Sequence, residues 1–463
     1  MSPTDLCTKD FKPIFIFMKK QILLVAAFVA AVFTSYAQEE EATPLEQVQQ
    51  KVEVHDAAIN KLNYLKITGY IQPQWQWGQA NAGLKVGAGN VSEDGNTSAF
   101  NRVGIRRGRI KFTYDDGGLA TGVFQLNIVD KSNASNVSQA VVQLKEAYLN
   151  VKDPWFGTLQ IQGGMFDRPF GNEISYSSSL LESPERSKIV QTLFPEEVDL
   201  GGKLILQPAK SSYWNFIKLE GGWFSGNAIN PETNNRKDFI GHIVATKPIG
   251  TTAKWGLGAS YYNGGVYQGT ADVYTLSGNA FVKNSDATNI GKYAKREYYG
   301  LDGQFSIESP LGFTQIRAEY IWGTQPGNLA GSGSPNAASN PTTETVIRNM
   351  NGWYGILVQD LGQSPFSLVV KYDSYDPNTK VSGNDIGATA SVAGATKTSK
   401  NDLRYGTLGI GALWRISPSL RLQLYYENVK NETSSNLANT SRASDYSRDM
   451  LDDTFTCRLQ FKF

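Results

Sequence analysis

Short and long connections alternate strictly along this chain, and that alternation constrains its fold more than any other feature. The tight turns are Asp115-Asp116-Gly117-Gly118, Ser309-Pro310-Leu311-Gly312, Asp360-Leu361-Gly362-Gln363-Ser364 and Ser417-Pro418-Ser419. Between them lie long polar segments, among them 263–295, 323–349, 377–403 and 430–452. The stretches they join repeat every two residues, as half-exposed strands do. A soluble two-sheet sandwich has no reason to alternate its connection lengths. A closed membrane barrel does, because its short turns gather at one end and its long loops at the other.

The last strand shows the two-residue period best. Phe455, Cys457, Leu459, Phe461 and Phe463 share one face, and Thr454, Thr456, Arg458, Gln460 and Lys462 share the other. The same division recurs where Leu408, Ile410, Ala412 and Trp414 alternate with Thr407, Gly409, Gly411 and Arg415. It recurs again in Leu420, Leu422, Leu424 and Tyr426 against Arg421, Gln423, Tyr425 and Glu427. An apolar face opposite a charged one suits a lipid-facing exterior and a wet lumen. Counting such segments from near Ile67 to near Asp453 gives about sixteen, an even number that returns both ends of the barrel to the same side. The predicted fold is all-β: an antiparallel transmembrane barrel over 65–463, wide enough to leave an aqueous channel. The chain stops in mid-strand on Phe463, which resembles the C-terminal signature that the bacterial barrel-assembly machinery reads.

Upstream of the barrel the chain carries an address. Lys19-Lys20, the apolar run 22–33 and Ser35-Tyr36-Ala37 form a secretory signal over 1–37, with cleavage before Gln38. The apolar run is short for a bilayer and is followed by Gln38-Glu39-Glu40-Glu41, which disfavours an anchor. Met18 precedes the lysines directly, so 1–17 reads as a start placed too far upstream. Segment 38–64 holds Leu45, Val48, Val52, Ile59 and Leu62 at heptad spacing, with His55 in the seam. It predicts a short coiled-coil-like periplasmic helix, which either oligomerises or rests on its own barrel. The exported chain then keeps one cysteine, Cys457, so no internal disulfide forms.

Composition removes several function classes. Lys plus Arg number 44 against 43 Asp plus Glu, so no basic excess points to nucleic acid. His55 and His242 are the two histidines, which argues against zinc sites and histidine triads. By alternation no acidic or serine partner is placed for His242. No cofactor and no metal is expected. Eight tryptophans, including Trp75, Trp223 and Trp414, fall near strand ends and fit interfacial girdles.

Two groups are candidates for the channel chemistry. In the second strand Arg107, Arg109 and Lys111 share the polar face, and Arg106 falls on the apolar one. Such a ladder attracts anions and eases their partial dehydration. Paired to carboxylates on neighbouring strands, it would instead be a charge-balanced wall. The third long connection, 168–197, holds Arg168, Glu182, Glu185, Arg186 and Lys188. Folded into the lumen it would form the constriction; outside, it would be a solvated lid.

Five segments in order resemble the porin family named for the phosphate-selective porins O and P. They are Ile67-Thr68-Gly69-Tyr70-Ile71-Gln72, then Arg106-Arg107-Gly108-Arg109-Ile110-Lys111-Phe112, then Lys145-Glu146-Ala147-Tyr148-Leu149. Gly164-Met165-Phe166-Asp167-Arg168-Pro169-Phe170-Gly171 and Glu182-Ser183-Pro184-Glu185-Arg186-Ser187 follow. The resemblance covers roughly the first half of the barrel, and the helix after the signal peptide and the very long loops resemble those of a Bacteroidetes-type member. It implies a trimeric outer-membrane porin of 16 strands. By resemblance Arg107 and Arg109 belong to the lumen-facing basic strand and Arg186 to an in-folded loop. The chain departs from the phosphate-selective members in its balanced charge and in Glu173, Glu182, Glu185, Glu196 and Glu197 of the third loop.

The expectation is therefore passive diffusion of small hydrophilic solutes or anions, without catalysis, in the bacterial outer membrane. The expected partners are membrane lipid, the assembly machinery and two further copies of the chain. The competing readings are a surface β-rich adhesin or carbohydrate-binding protein, and an outer-membrane barrel enzyme.

Overall fold

The computed structural model describes residues 64–87, 98–129, 141–333 and 342–463, with helical positions at 48, 51–53 and 55. The chain divides into two units, 1–63 and 64–463. The expected signal peptide, and most of the expected helix, lie outside the described residues.

The second unit is a closed antiparallel barrel of 16 strands. In chain order its first half is β1 (Leu65–Gly78), β2 (Phe100–Asp115), β3 (Ala120–Val129), β4 (Val141–Lys152), β5 (Leu159–Asp167), β6 (Val198–Leu206), β7 (Ile217–Phe224) and β8 (Asp238–Ile249). After β9 (Ala253–Tyr267) come two loop strands, β10 (Asp272–Ser277) and β11 (Ala280–Ser285). The barrel resumes with β12 (Tyr293–Ser309), β13 (Gly312–Gly327), β14 (Thr345–Asp360) and β15 (Phe366–Asp376). A third loop strand, β16 (Thr396–Lys397), precedes β17 (Tyr405–Arg415), β18 (Leu420–Asn431) and β19 (Thr454–Lys462). Each barrel strand pairs with its neighbours in sequence, and β1 pairs with both β2 and β19.

Alternation sorts the side chains as the sequence predicts. Along β19, Thr454, Thr456, Arg458 and Gln460 are buried inside, and Leu459 and Phe461 are exposed outside. Val103 at 68% and Leu257 at 61% exposure are typical of an outer face that would be unacceptable in water. Trp75 and Trp223 lie towards the long-loop ends of their strands, and Trp255 and Trp414 towards the short-turn ends. This exterior is apolar in the middle with aromatics at two levels, as a bilayer requires.

Several long loops carry more structure than their polar sequences suggest. The connection after β9 is a hairpin of β10 and β11, and β10 adds in parallel to the start of β14. β11 pairs with β16. A buried Arg348–Asp402 ion pair of 2.8 Å, which Asn378 also joins, ties the connection that carries β16 to the start of β14. The expected plain loops at 263–295 and 377–403 are thus corrected to a small canopy. Its wider pairings were hidden because β10 meets β14 and β11 meets β16, partners far away in sequence.

The seam that closes the barrel pairs β1 with β19 and extends to Phe463. Gly69 and Phe463 exchange two backbone hydrogen bonds of 3.0 Å. A Cβ on Gly69 would lie 2.5 Å from the Phe463 ring and 2.7 Å from the Arg109 carbonyl. The ring therefore needs a glycine beneath it. Gly69→Val should lower the yield of heat-modifiable barrel severalfold on refolding, read as the fast-migrating band on an unheated gel. An unchanged yield would show that the seam tolerates a side chain there.

Candidate functional site

The connection from β5 to β6, 168–197, packs against inward-facing side chains around much of the barrel. It includes a short helix, α1 (Lys188–Leu193). Phe170, Ile174, Ile189, Val190, Leu193 and Phe194 of this loop pack against Tyr262, Tyr298, Ile321 and Met350 of the wall. Each large apolar side chain buried this way stabilises the docked loop by about 1.5–3 kcal/mol. Gly300 and Gly352 leave room for Phe170 and Ile189, whose atoms would lie 2.8 and 2.7 Å from an added Cβ.

Ion pairs fix the rest of the loop. Glu185 accepts from Arg106 Nε at 2.8 Å, from Arg107 Nη2 at 2.8 Å and from Arg458 Nη2 at 2.9 Å. Glu173 accepts from Lys371 Nζ at 2.9 Å, and Glu182 pairs with Arg317. Lys371 also donates to the Glu185 carbonyl at 3.3 Å, and Arg458 to the Pro184 carbonyl at 2.7 Å. The backbone N–H groups of Asn172 and Glu173 reach the Glu319 carboxylate at 3.2 and 3.3 Å. Arg186 is the hub within the loop. It donates to Glu197 at 2.6 Å and to the carbonyls of Glu173, Ile174 and Tyr176.

Two β-bulges aim cations inward. Opposite β1 the register of β2 shifts at Pro73, so that Gln72 faces Arg107 and Pro73 faces Ile105. Arg106 is the extra residue. Proline has no N–H to give the ladder, which favours a bulge at that point. The sequence reading of Arg106 on the apolar face is therefore corrected: the bulge turns it in to Glu185. A second bulge, between Gln125 and Leu126 opposite β4, makes Lys145 extra. Lys145 and Glu146 then both point inward, where Lys145 reaches Glu197 at 2.6 Å and Glu146 takes Lys111 at 2.8 Å.

The candidate residues separate into distinct settings. Arg107 is 5% exposed and fully engaged by Glu185 and Gln72. Lys111 is neutralised by Glu146. Arg109 alone of the three makes no ion pair among the described residues, and its hydrogen-bond and ring partners are neutral. These are Asn127 Oδ1 at 3.2 Å, Ser178 Oγ at 3.4 Å and the Tyr70 ring at 5.9 Å. Arg168 holds the Val198 and Pro195 carbonyls and lies 3.8 Å from Asp199. Lys188 sits 3.9 Å over the Tyr405 ring. His242 is also corrected: its Nε2 lies 3.0 Å from Asp302 Oδ2, and Ser260 is its cross-strand neighbour. Gly258 on the strand between leaves room for that pair, a gap that alternation on one strand does not reveal.

Open space remains along the β2 to β8 side. One cavity of about 440 Å³ is lined by Lys85, Arg106, Arg107 and Arg109 from the wall side and by Glu185, Gln191, Glu196 and Glu197 from the loop. Another, of about 240 Å³, is lined by Lys111, Lys203, Lys218, Glu146, Glu220 and His242. In both, cations share carboxylates: Arg106 and Arg107 both take Glu185, and Lys203 and Lys218 both take Glu220.

Burial by itself would raise the pKa of Glu185, but Arg106, Arg107 and Arg458 outweigh it and hold the carboxyl well below the usual range. Burial likewise opposes the charge on Glu197, and Arg186 and Lys145 overcome it to lower its pKa. A depressed folded-state pKa contributes stability above the ordinary carboxylate range and loses it only as pH falls through the lower value. The lock is therefore complete at neutral and mildly acid pH.

Removing that carboxylate leaves three guanidiniums facing one another, at a cost of about 3–5 kcal/mol. Glu185→Gln should loosen the loop, raising mean single-channel conductance and current noise and exposing 168–197 to protease. A quiet channel of unchanged conductance would mean that the apolar cluster holds the loop unaided.

No family model and no curated protein matches this sequence. Among solved structures it is similar to Pseudomonas putida OprB, with a TM-score of 0.51 at 9% identity over 89% of this chain and 97% of that one. It is also similar to Salmonella typhi OmpF, crystallised with daunomycin, with a TM-score of 0.50 at 11% identity over 86% of this chain and 97% of that one. An anion-selective porin from Comamonas acidovorans aligns with a TM-score of 0.46 at 10% identity, over 86% of this chain and 99% of that one, and is too distant to bear on the argument. At such identities the likeness concerns the fold alone. The chain has the fold of outer-membrane porins, and its apolar exterior belongs in the bacterial outer membrane.

Proposed function

We propose that this protein is a porin through which small hydrophilic solutes diffuse passively, with a preference for anions. The observation that carries the reading is the excess of cations along the open side of the lumen. The larger cavity is lined by Lys85, Arg106, Arg107, Arg109 and Arg186 against Glu185, Glu196 and Glu197, and Arg109 makes no ion pair among the described residues. Guanidiniums held at fixed positions replace part of an anion's hydration as it passes. The motifs shared with the phosphate-selective porins extend the reading to phosphate-like anions. Passage of this kind needs no cofactor, metal or covalent step. We further propose that the chain assembles as a homotrimer among membrane lipids, with Phe463 read by the barrel-assembly machinery.

The proposed selectivity falls on Arg109 more than on Arg107. Arg107 is consumed in locking the loop, whereas Arg109 faces the cavity with neutral partners. Single-channel current of refolded protein in a planar bilayer under a KCl gradient tests this. The wild type should show stepwise conductance and an anion-selective reversal potential. Arg109→Glu should shift the permeability ratio severalfold towards cations with the loop still docked, and Arg107→Glu should disturb conductance and noise as well. Verified insertion without conductance would overturn the channel reading. An unchanged reversal potential in Arg109→Glu would remove that residue from selectivity.

A further inference from the structure

The return of the third loop into β6 contains an unusual piece of backbone. Glu196 and Glu197 are consecutive, and both have left-handed φ angles, 64° and 58°. Ala228 is the other non-glycine residue with positive φ among those described. Such conformations are unfavourable and persist only where the surroundings impose them. Here Lys145, turned in by its bulge, donates both to the Glu196 carbonyl and to the Glu197 carboxylate. Arg186 takes the other Glu197 oxygen at 2.6 Å, and the Glu197 N–H donates to the Phe194 carbonyl at 3.0 Å.

The two neighbouring carboxylates consequently have different fates. Glu197 is occupied by two cations. Glu196 is exposed and lines the 440 Å³ cavity; its carboxylate makes no hydrogen bond or ion pair among the described residues, and its charge acts on Arg106 across the cavity. From the barrel wall Arg109 reaches the same cavity, where its hydrogen bonds go to neutral groups and its charge also acts on Glu197. The amides of Asn127, Gln143 and Gln191 lie around them. One cavity thus presents a guanidinium from the wall and a carboxylate from the loop, neither neutralised by an ion pair.

We propose that this cavity is a subsite for zwitterionic solutes of the amino-acid and short-peptide class, with the solute carboxylate on Arg109 and its ammonium on Glu196. A simple inorganic anion attracted by Arg109 is repelled by Glu196. A solute whose cation lies a few bonds from its anion gains from both, and neither protein group is left desolvated without a partner. Holding Glu196 in the cavity gives the strained turn a use. This inference rests on the porin reading and, beside the anions proposed above, adds a net-neutral solute class.

Liposome swelling with the refolded mature protein tests it, using L-glutamine as the zwitterion and D-ribose as a neutral solute of similar size. Glutamine should enter the wild type severalfold faster than ribose. E196Q and R109Q should each abolish that advantage while ribose entry persists. Under a KCl gradient E196Q should move the reversal potential towards anions and R109Q towards cations. The Glu196 carboxylate makes no structural bond among the described residues, so E196Q is expected to fold. Equal entry of glutamine and ribose in the wild type would overturn the inference, as would an undiminished glutamine advantage in E196Q. In either case the channel reading stands as long as ribose enters. Inserted protein that admits neither solute and carries no current would instead overturn the porin reading, and this one with it.

Discussion

Backbone hydrogen bonding in hydrocarbon is the constraint from which the rest of this structure follows. No water is present in the bilayer core to satisfy an open strand edge, so the sheet must close on itself. Closure pairs β1 with β19 and makes the final residue part of the wall. It also imposes the two-residue period on every strand, since each side chain faces either lipid or lumen. The long loops stand at the end opposite Tyr64 and Phe463, and there the chain is free to build. It uses that freedom twice, once for the canopy of β10, β11 and β16 and once for the loop docked inside.

Much of this was legible because strand alternation is local. The faces of β17, β18 and β19, the tight turns and the even strand number all follow from residues within a few positions of one another. The partners of the third loop were not legible. Glu182 meets Arg317, Glu173 meets Lys371 and Glu185 meets Arg458, contacts between residues more than a hundred positions apart. The bulges escaped for another reason. One extra residue flips the facing of its neighbours, so strict alternation misplaced Arg106 and gave no hint that Lys145 and Glu146 face the same way. Pro73 was the available signal for the first bulge. The second has no such marker.

The bulges show how a regular sheet is made to serve an irregular task. Alternation allows one inward side chain for every two residues. Where Glu185 and the Glu196–Glu197 turn press against the wall, two successive inward residues are needed, and a bulge supplies them. The resulting wall is no uniform ladder. Arg106, Arg107 and Lys145 anchor the loop, Lys111 is neutralised on the spot, and Arg109 is left with neutral partners. Charge balance over the whole chain, 44 cations against 43 carboxylates, therefore says little about the lumen, because sharing of carboxylates there concentrates positive charge on one side.

A loop docked this way could have been held by apolar contacts alone, and a hydrophobic cluster already supplies much of the adhesion. The ion pairs add something that cluster cannot. A buried ion pair contributes little net stability relative to a well-packed apolar substitute, but breaking one is expensive. Sliding the loop by one residue would strand Glu173, Glu182 and Glu185 away from Lys371, Arg317 and Arg458. The charged contacts thus penalise every register but one. The same argument accounts for the left-handed pair at Glu196 and Glu197, since a strained turn keeps its shape only if the segments on both sides of it are fixed.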